Sequence, residues 1–226
     1  MDAGAGKSEF LESAVTSRLI HLHTHCNWRA GDPLNHHVEF PRLPNNTSTT
    51  TTSDDDDKAP RPKLTADNDE TTKPDDRPVD RLAARELFDI KLPASTHVNL
   101  IACQGGVADV QLGDEVMGLV PALLYAGASS TVSTLWSIDD GDGARFARHF
   151  SDSFLRQCRR KKKAKSESSG GDGVGFVDIA KAVREAAGEM DASHAEPLYT
   201  WAAFVMHGFW RFPVSATDLE ALKSQQ

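Results

Sequence analysis

Two short apolar runs, each ending in a reactive side chain, constrain this chain more than any other feature: Leu19-Ile20-His21-Leu22-His23-Thr24-His25 and Val98-Asn99-Leu100-Ile101-Ala102-Cys103. Runs of this length and composition read as short buried strands. Open α/β sheets carry their working groups at the carboxyl ends of strands, so a histidine and a cysteine are expected at one sheet edge. An imidazole beside a thiol there can work as a nucleophilic pair, the histidine as base and the cysteine as thiolate.

Residues 44–80 lie between the two runs and contain almost no large apolar side chain, passing from Asn45-Asn46-Thr47-Ser48 through tracts of Thr and Asp. Such a segment cannot bury enough apolar surface to offset the entropy of ordering, and it reads as a disordered acidic insert. A second polar stretch, 159–173, begins Arg159-Arg160-Lys161-Lys162-Lys163 and dissolves into Ser and Gly; it reads as a basic loop. Setting both aside leaves roughly 170 residues, the size of one domain. The expected organisation is one domain over 1–215 with two insertions, followed by a tail over 216–226. A hydrophobic content of 39% is enough to give that domain a core.

The net charge of −8 does not favour nucleic acid as the main partner. The exception is the basic run, whose readings are a solvated loop, a nuclear signal and a nucleic-acid contact. Cys26, Cys103 and Cys158 are odd in number and form no CxxC pair, which argues against a disulfide framework and for a reducing compartment. No stretch approaches the about 18 apolar residues of a membrane span, and no basic-then-apolar leader opens the chain. A cytoplasmic place is expected, or a nuclear one if the basic run is a signal.

Along the chain, 8–18 reads as a helix, 19–23 as a strand, 38–40 as a short strand or bend, and 79–88 as a helix on the sheet. Strand 98–102 ends at Cys103-Gln104-Gly105-Gly106, whose paired glycines suit a tight turn. Helix 119–125, strand 131–136, a helix over 143–157 capped by Asp139 or Asp140, helix 176–190 and a final strand over 199–209 complete the pattern. Strands alternating with helices make an α/β layered sheet.

Several multi-residue words then become recognisable in order: Ala102-Cys103-Gln104, Gly113-Asp114-Glu115-Val116, Tyr125-Ala126-Gly127-Ala128, Leu135-Trp136-Ser137-Ile138-Asp139-Asp140 and Trp201-Ala202-Ala203-Phe204-Val205. With the histidine run and Asp32-Pro33-Leu34 upstream, the sequence resembles the CHAT family, caspase-like cysteine peptidases related to separase and associated with tetratricopeptide repeats. The resemblance implies a layered sheet of mostly parallel strands with flanking helices. It also implies that the first strands of the full caspase-like fold are missing, because the histidine strand is normally the third, and that the chain is a fragment of a longer repeat protein or a shortened product.

By motif position, the resemblance makes His25 the general base and acid and Cys103 the nucleophile of an intracellular cysteine endopeptidase. The two are 78 residues apart; the insert 44–80 supplies 37 of these and leaves 41, close to the roughly 50 expected in caspases. Backbone amides of Cys103 and Cys26 are the expected oxyanion donors. The family carries glycine where this chain has Cys26, so a positive φ there would be strained. Asp140 matches an acidic pocket position that would favour Arg or Lys in a protein or peptide substrate.

No cofactor is implied. One rival function is a catalytically impaired CHAT-like interaction module. Another is a metal-dependent hydrolase: His21, His23 and His25 alternate and would share one strand face, with His36, His37 or Asp32 to complete a zinc shell.

Overall fold

The computed structural model describes residues 6–28, 31–42, 78–110, 116–167, 175–192 and 198–215. Its elements are α1 (Lys7–Ala14), β1 (Leu19–His23), β2 (Cys26–Asn27), a 3-10 turn at Pro33–Asn35, β3 (His37–Pro41), β4 (Val79–Ala83), α2 (Ala84–Leu87), β5 (Thr96–Ile101), β6 (Asp109–Val110) and β7 (Val116–Met117). They continue with α3 (Leu119–Tyr125), β8 (Ala128–Thr134), α4 (Asp140–Glu167), β9 (Gly175–Asp178), α5 (Ile179–Ala192), α6 (Leu198–Trp201), β10 (Phe204–Gly208) and β11 (Arg211–Val214).

The central sheet has the order β1-β5-β8-β10, with β1, β5 and β8 parallel and β10 antiparallel to β8. It is the mostly parallel α/β sheet expected from the sequence. The register sorts side chains onto its two faces. Ile20 pairs Val98 and Leu22 pairs Leu100, and this face packs with Ala14, Leu119, Ala122 and Leu123 from α1 and α3. His21 pairs Asn99 and His23 pairs Ile101, and this opposite face lies under α4 and α5, whose Phe146, Phe150, Ala182 and Ala186 join Ile101 and Val132 in a second core. Among the described residues no strand pairs with the outer edge of β1, where Leu19 is 37% exposed. β1 is therefore half-buried, not the fully buried strand its apolar residues suggest.

Several elements differ from the sequence reading, for identifiable reasons. Residues 79–83 form a strand, not the first turns of a helix, because they pair antiparallel with β3 from Pro41↔Val79 to His37↔Ala83. Residues 78–80 are thus structured although they fall inside the stretch expected to be disordered to residue 80; residues 43–77 lie outside the described ones. Helix α4 runs through the basic run to Glu167, so 159–167 is helix where a loop was expected. Arg, Lys, Ala and Glu are good helix formers, and no Gly or Pro interrupts them. Residues 175–178 are also strand, pairing with β11, which the sequence reading lacked; α5 starts only at Ile179. The tail 216–226 lies outside the described residues. No described helix is long and apolar enough to cross a membrane.

Candidate active site

The site forms where β1 and β5 end side by side. Parallel pairing runs to His23↔Ile101 and is extended once more by the Thr24 N–H, which donates to the Ile101 carbonyl at 3.2 Å. The chain then turns toward β3: the Glu39 N–H donates to the His25 carbonyl at 2.9 Å, and the Thr24 hydroxyl donates to the Glu39 carbonyl. His25 is held by its backbone in this corner, with its ring exposed. It borders a surface cavity of about 340 Å³ shared with Glu39, Phe40, Arg42 and Val79.

Cys103 is half-buried just past the end of β5. The turn after it is fastened to β8: Thr134 donates its hydroxyl to the Ala102 carbonyl at 2.5 Å, and the Gly106 N–H donates to the Thr134 carbonyl at 2.8 Å. A Cβ on Gly106 would lie 2.5 Å from Ser133 Oγ, so close backbone approach requires glycine there. The left-handed residue of the turn is Gln104, φ 58°, and not either glycine. The N–H groups of Gln104, Gly105 and Gly106 all donate to carbonyls, whereas the Cys103 N–H makes no such turn bond. The Cys103 thiol donates to the Ile138 carbonyl at 3.5 Å. No hydrogen bond joins His25 and Cys103.

Cys26, next to His25, opens β2 and pairs with Val38. It is not among the non-glycine residues of positive φ, which are Ser95 and Gln104. The strain anticipated for a side chain at this position does not arise. Its thiol is pushed up to about 12, first by burial, then by the neighbouring Cys103 and by Glu39. Asp139 and Asp140 differ in their contacts. Asp139 caps α4, its carboxylate accepting the Gly141 N–H at 2.8 Å and its carbonyl accepting the N–H groups of Asp142 and Gly143. Asp140, in the first helical turn, is exposed and makes no hydrogen bond or ion pair among the described residues.

The three alternating histidines part company. β1 stops at His23, so only His21 and His23 share the α4 face. His21 sits edge-on to Phe150 with ring centroids 5.9 Å apart, and His23 abuts Gly143, where a Cβ would come within 2.9 Å of its Nε2. His25 instead faces the cavity beside β3. Of the other proposed ligands, Asp32 accepts from Asn35 at 2.6 Å, and His37 bonds the Asn35 carbonyl at 2.9 Å. Among the described residues no three His, Cys, Asp or Glu side chains gather as a metal site.

Two features escaped the sequence. Glu39 shares the His25 cavity, and the signal for it was an acid set between Val38 and Phe40, both buried, so that it faces the other way. The second is a polar chain that runs from buried Ser130, His97 and Asn99 to exposed His21: Ser130 Oγ donates to His97 Nδ1 at 2.8 Å, His97 Nε2 donates to Asn99 Oδ1 at 3.0 Å, and Asn99 Nδ2 donates to the His21 ring at 3.2 Å.

Two crystal structures of the Saccharomyces cerevisiae separase–securin complex, at 2.6 and 3.0 Å resolution, are similar to this chain at 17% and 16% identity, with TM-scores of 0.39 and 0.38. Each match covers 58% of this chain, which spans only 8% and 7% of the matched chains. Comparison with curated proteins returned no match. The CHAT domain, by contrast, matches residues 1–209. A match of that extent, on a chain whose parallel sheet ends in the histidine and cysteine corner described above, makes this protein a member of the CHAT domain family.

Proposed function

We propose that the chain is a CHAT-type cysteine endopeptidase that cleaves protein or peptide chains after basic residues. Cys103 attacks the scissile carbonyl as thiolate, and His25 takes the thiol proton and passes it to the departing amine. The Cys103 N–H, left without a turn bond, and the Cys26 N–H hold the developing oxyanion. The observation that carries this reading is the Thr24–Ile101 hydrogen bond, which fastens the chain just before His25 to the chain just before Cys103. The histidine and thiol are not yet bonded to each other, and such contacts commonly tighten only when substrate arrives. Asp140 supports basic-residue selection: it is free of internal partners and lies two residues beyond Ile138, whose carbonyl accepts the Cys103 thiol.

Cleavage of Arg- and Lys-containing peptides is the direct test. Cys103→Ala is expected to abolish turnover with an unchanged denaturation profile, and Asp140→Asn to lower kcat/KM on basic peptides by roughly tenfold or more. Turnover that survives Cys103→Ala refutes the assignment. The unbonded pair also favours a second reading, a CHAT-like module that binds a protein partner without cutting it, such as a tetratricopeptide-repeat region of a longer parent chain. Stoichiometric binding of a peptide that is never cleaved, in wild type and Cys103→Ala alike, would select it.

A further inference from the structure

The proposed hydrolysis leaves the basic run without a role, although 159–165 holds six cations in seven residues. The fold makes this run the last turns of α4 and surrounds its start with more cations and with exposed rings. α4 and α5 lie antiparallel: Ser153 donates to the Glu185 carboxylate at 2.6 Å, and the Gln157 amide donates to the Asp178 carbonyl at 3.0 Å and accepts its N–H at 2.9 Å. This register brings Arg160 beside the start of α5, where it lines a surface hollow of about 390 Å³ with Arg156 and Lys181. Lys181 also lines a second hollow, of about 400 Å³, with Arg184 and Trp210. Trp210 is 41% and Phe176 44% exposed, and the Arg211 guanidinium lies 4.4 Å from the centre of the first ring and 6.0 Å from that of the second. Most of the acids here are engaged. Asp178 accepts the Lys181 N–H at 2.8 Å, and Glu185 accepts from Arg156 at 3.2 Å; Glu189 has no side-chain partner among the described residues. The Arg160 and Arg184 side chains likewise make no hydrogen bond or ion pair among the described residues.

We propose that the α4–α5 face from Arg160 to Trp210 binds single-stranded nucleic acid, with phosphates held along Arg160, Lys181 and Arg184 and a base stacked on Trp210. Cations alone would suit any polyanion, an acidic polypeptide included. The exposed indole set among them selects a strand with unpaired bases, because every base has a flat face to stack and its phosphates meet the flanking cations. Arg211 backs the indole by a cation–π contact, which holds the ring in place for that use. The net charge of −8 does not oppose this reading: at physiological salt, charges more than about 8 Å away are largely screened, and what a strand meets is the local face. The face is also remote from the cysteine corner. Arg160 lies twenty residues along α4 from Asp140, about 30 Å of helix, so binding here stands whether or not Cys103 is a nucleophile.

The test follows a fluorescein-labelled oligothymidylate by anisotropy as the full chain is added. Affinity should fall roughly tenfold or more between about 50 and 200 mM salt. Trp210→Ala should weaken binding about tenfold, the loss of one stacked base, while Trp210→Phe keeps most of the affinity. The double variant Arg160→Ala/Arg184→Ala, at two exposed positions that leave the fold intact, should flatten the dependence of log affinity on log salt by about 0.7 for each cation removed. Denaturation midpoints confirm that each variant is folded; if Trp210→Ala is not, Trp210→Phe and the arginine pair carry the test. No binding at about 50 mM salt, or binding that the arginine pair leaves unchanged, overturns the proposal. So does a duplex that binds as tightly as the single strand and is indifferent to Trp210→Ala. Polyglutamate that binds more tightly than the oligomer, and loses that affinity in the arginine pair, would make the partner an acidic protein and overturn it too.

Discussion

The two faces of the central sheet solve the same burial problem in different ways. On the α3 face, Ile20, Val98 and Leu100 form an apolar layer, and the polar intruders include Thr131 and Ser133, in register with Val98 and Leu100. Their hydroxyls are buried and have no hydrogen-bond partner among the described residues. On the α4 face the intruders are larger, two imidazoles and an amide, and each is bonded in the chain Ser130–His97–Asn99–His21. An orphaned hydroxyl costs about 1–3 kcal/mol and a fold can carry it; fully buried His97 has both ring nitrogens bonded, whereas Nε2 of His207, in register with Thr131, is buried without a hydrogen-bond partner among the described residues. Phe150 closes the chain from above, stacked on His97 with centroids 5.6 Å apart.

The largest expected break in this comparison is acid. Burial, opposed by the Asn99 hydrogen bond and aided by His21, lowers the His97 pKa to about 4 from 6.5. The folded protein therefore keeps His97 neutral while the unfolded chain protonates it. Stability is complete above pH 6.5 and falls as pH drops toward 4, by up to about 3 kcal/mol over the window. Burial lowers His21 and His207 in the same direction. Glu185, whose carboxylate is lowered chiefly by the Ser153 hydroxyl, loses its contribution only at still lower pH, below the ordinary carboxylate value. Denaturant midpoints measured across pH 4 to 8 check this; a flat profile between pH 6.5 and 4 would mean that His97 is not buried neutral.

A smaller effect of opposite sign is expected on the α3 face. Thr131→Val replaces an unpaired hydroxyl with a methyl of the same shape, and should raise stability by about 1 kcal/mol. A loss of stability in the thermal or denaturant midpoint would mean that the Thr131 hydroxyl has a partner.

The two faces also differ in how legible they were. Ile20, Leu22, Val98 and Leu100 announce the sheet by their alternation and spacing, though β1 ends at His23 and β5 at Ile101, two residues short of His25 and Cys103. The polar chain was illegible because His97 and Asn99 look like interruptions of an apolar strand until β8 supplies Ser130 and β1 supplies His21. Val79 to Leu87 misled for a related reason. Leu82, Ala83 and Leu87 fit a helical stripe, and only pairing with β3, across 37 intervening residues from Pro41 to Val79, makes 79–83 a strand. The sequence reading put His25 at the end of the β1 strand, whereas it leaves β1 for the corner with β3. That departure is what separates it from His21 and His23 and brings Cys26 and Glu39 beside it.

The sheet edge where the two faces meet carries the central claim, and cysteine labelling tests it most directly. A basic acyloxymethyl ketone is added to the reduced protein at neutral pH, and the modified residue is mapped in wild type and in His25→Ala. Labelling confined to Cys103 in wild type and lost in His25→Ala is the expected result, with Cys26 spared because its thiol stays protonated to about pH 12. Labelling of Cys103 that persists at the same rate in His25→Ala, or labelling that falls only on Cys26, would contradict a His25–Cys103 pair.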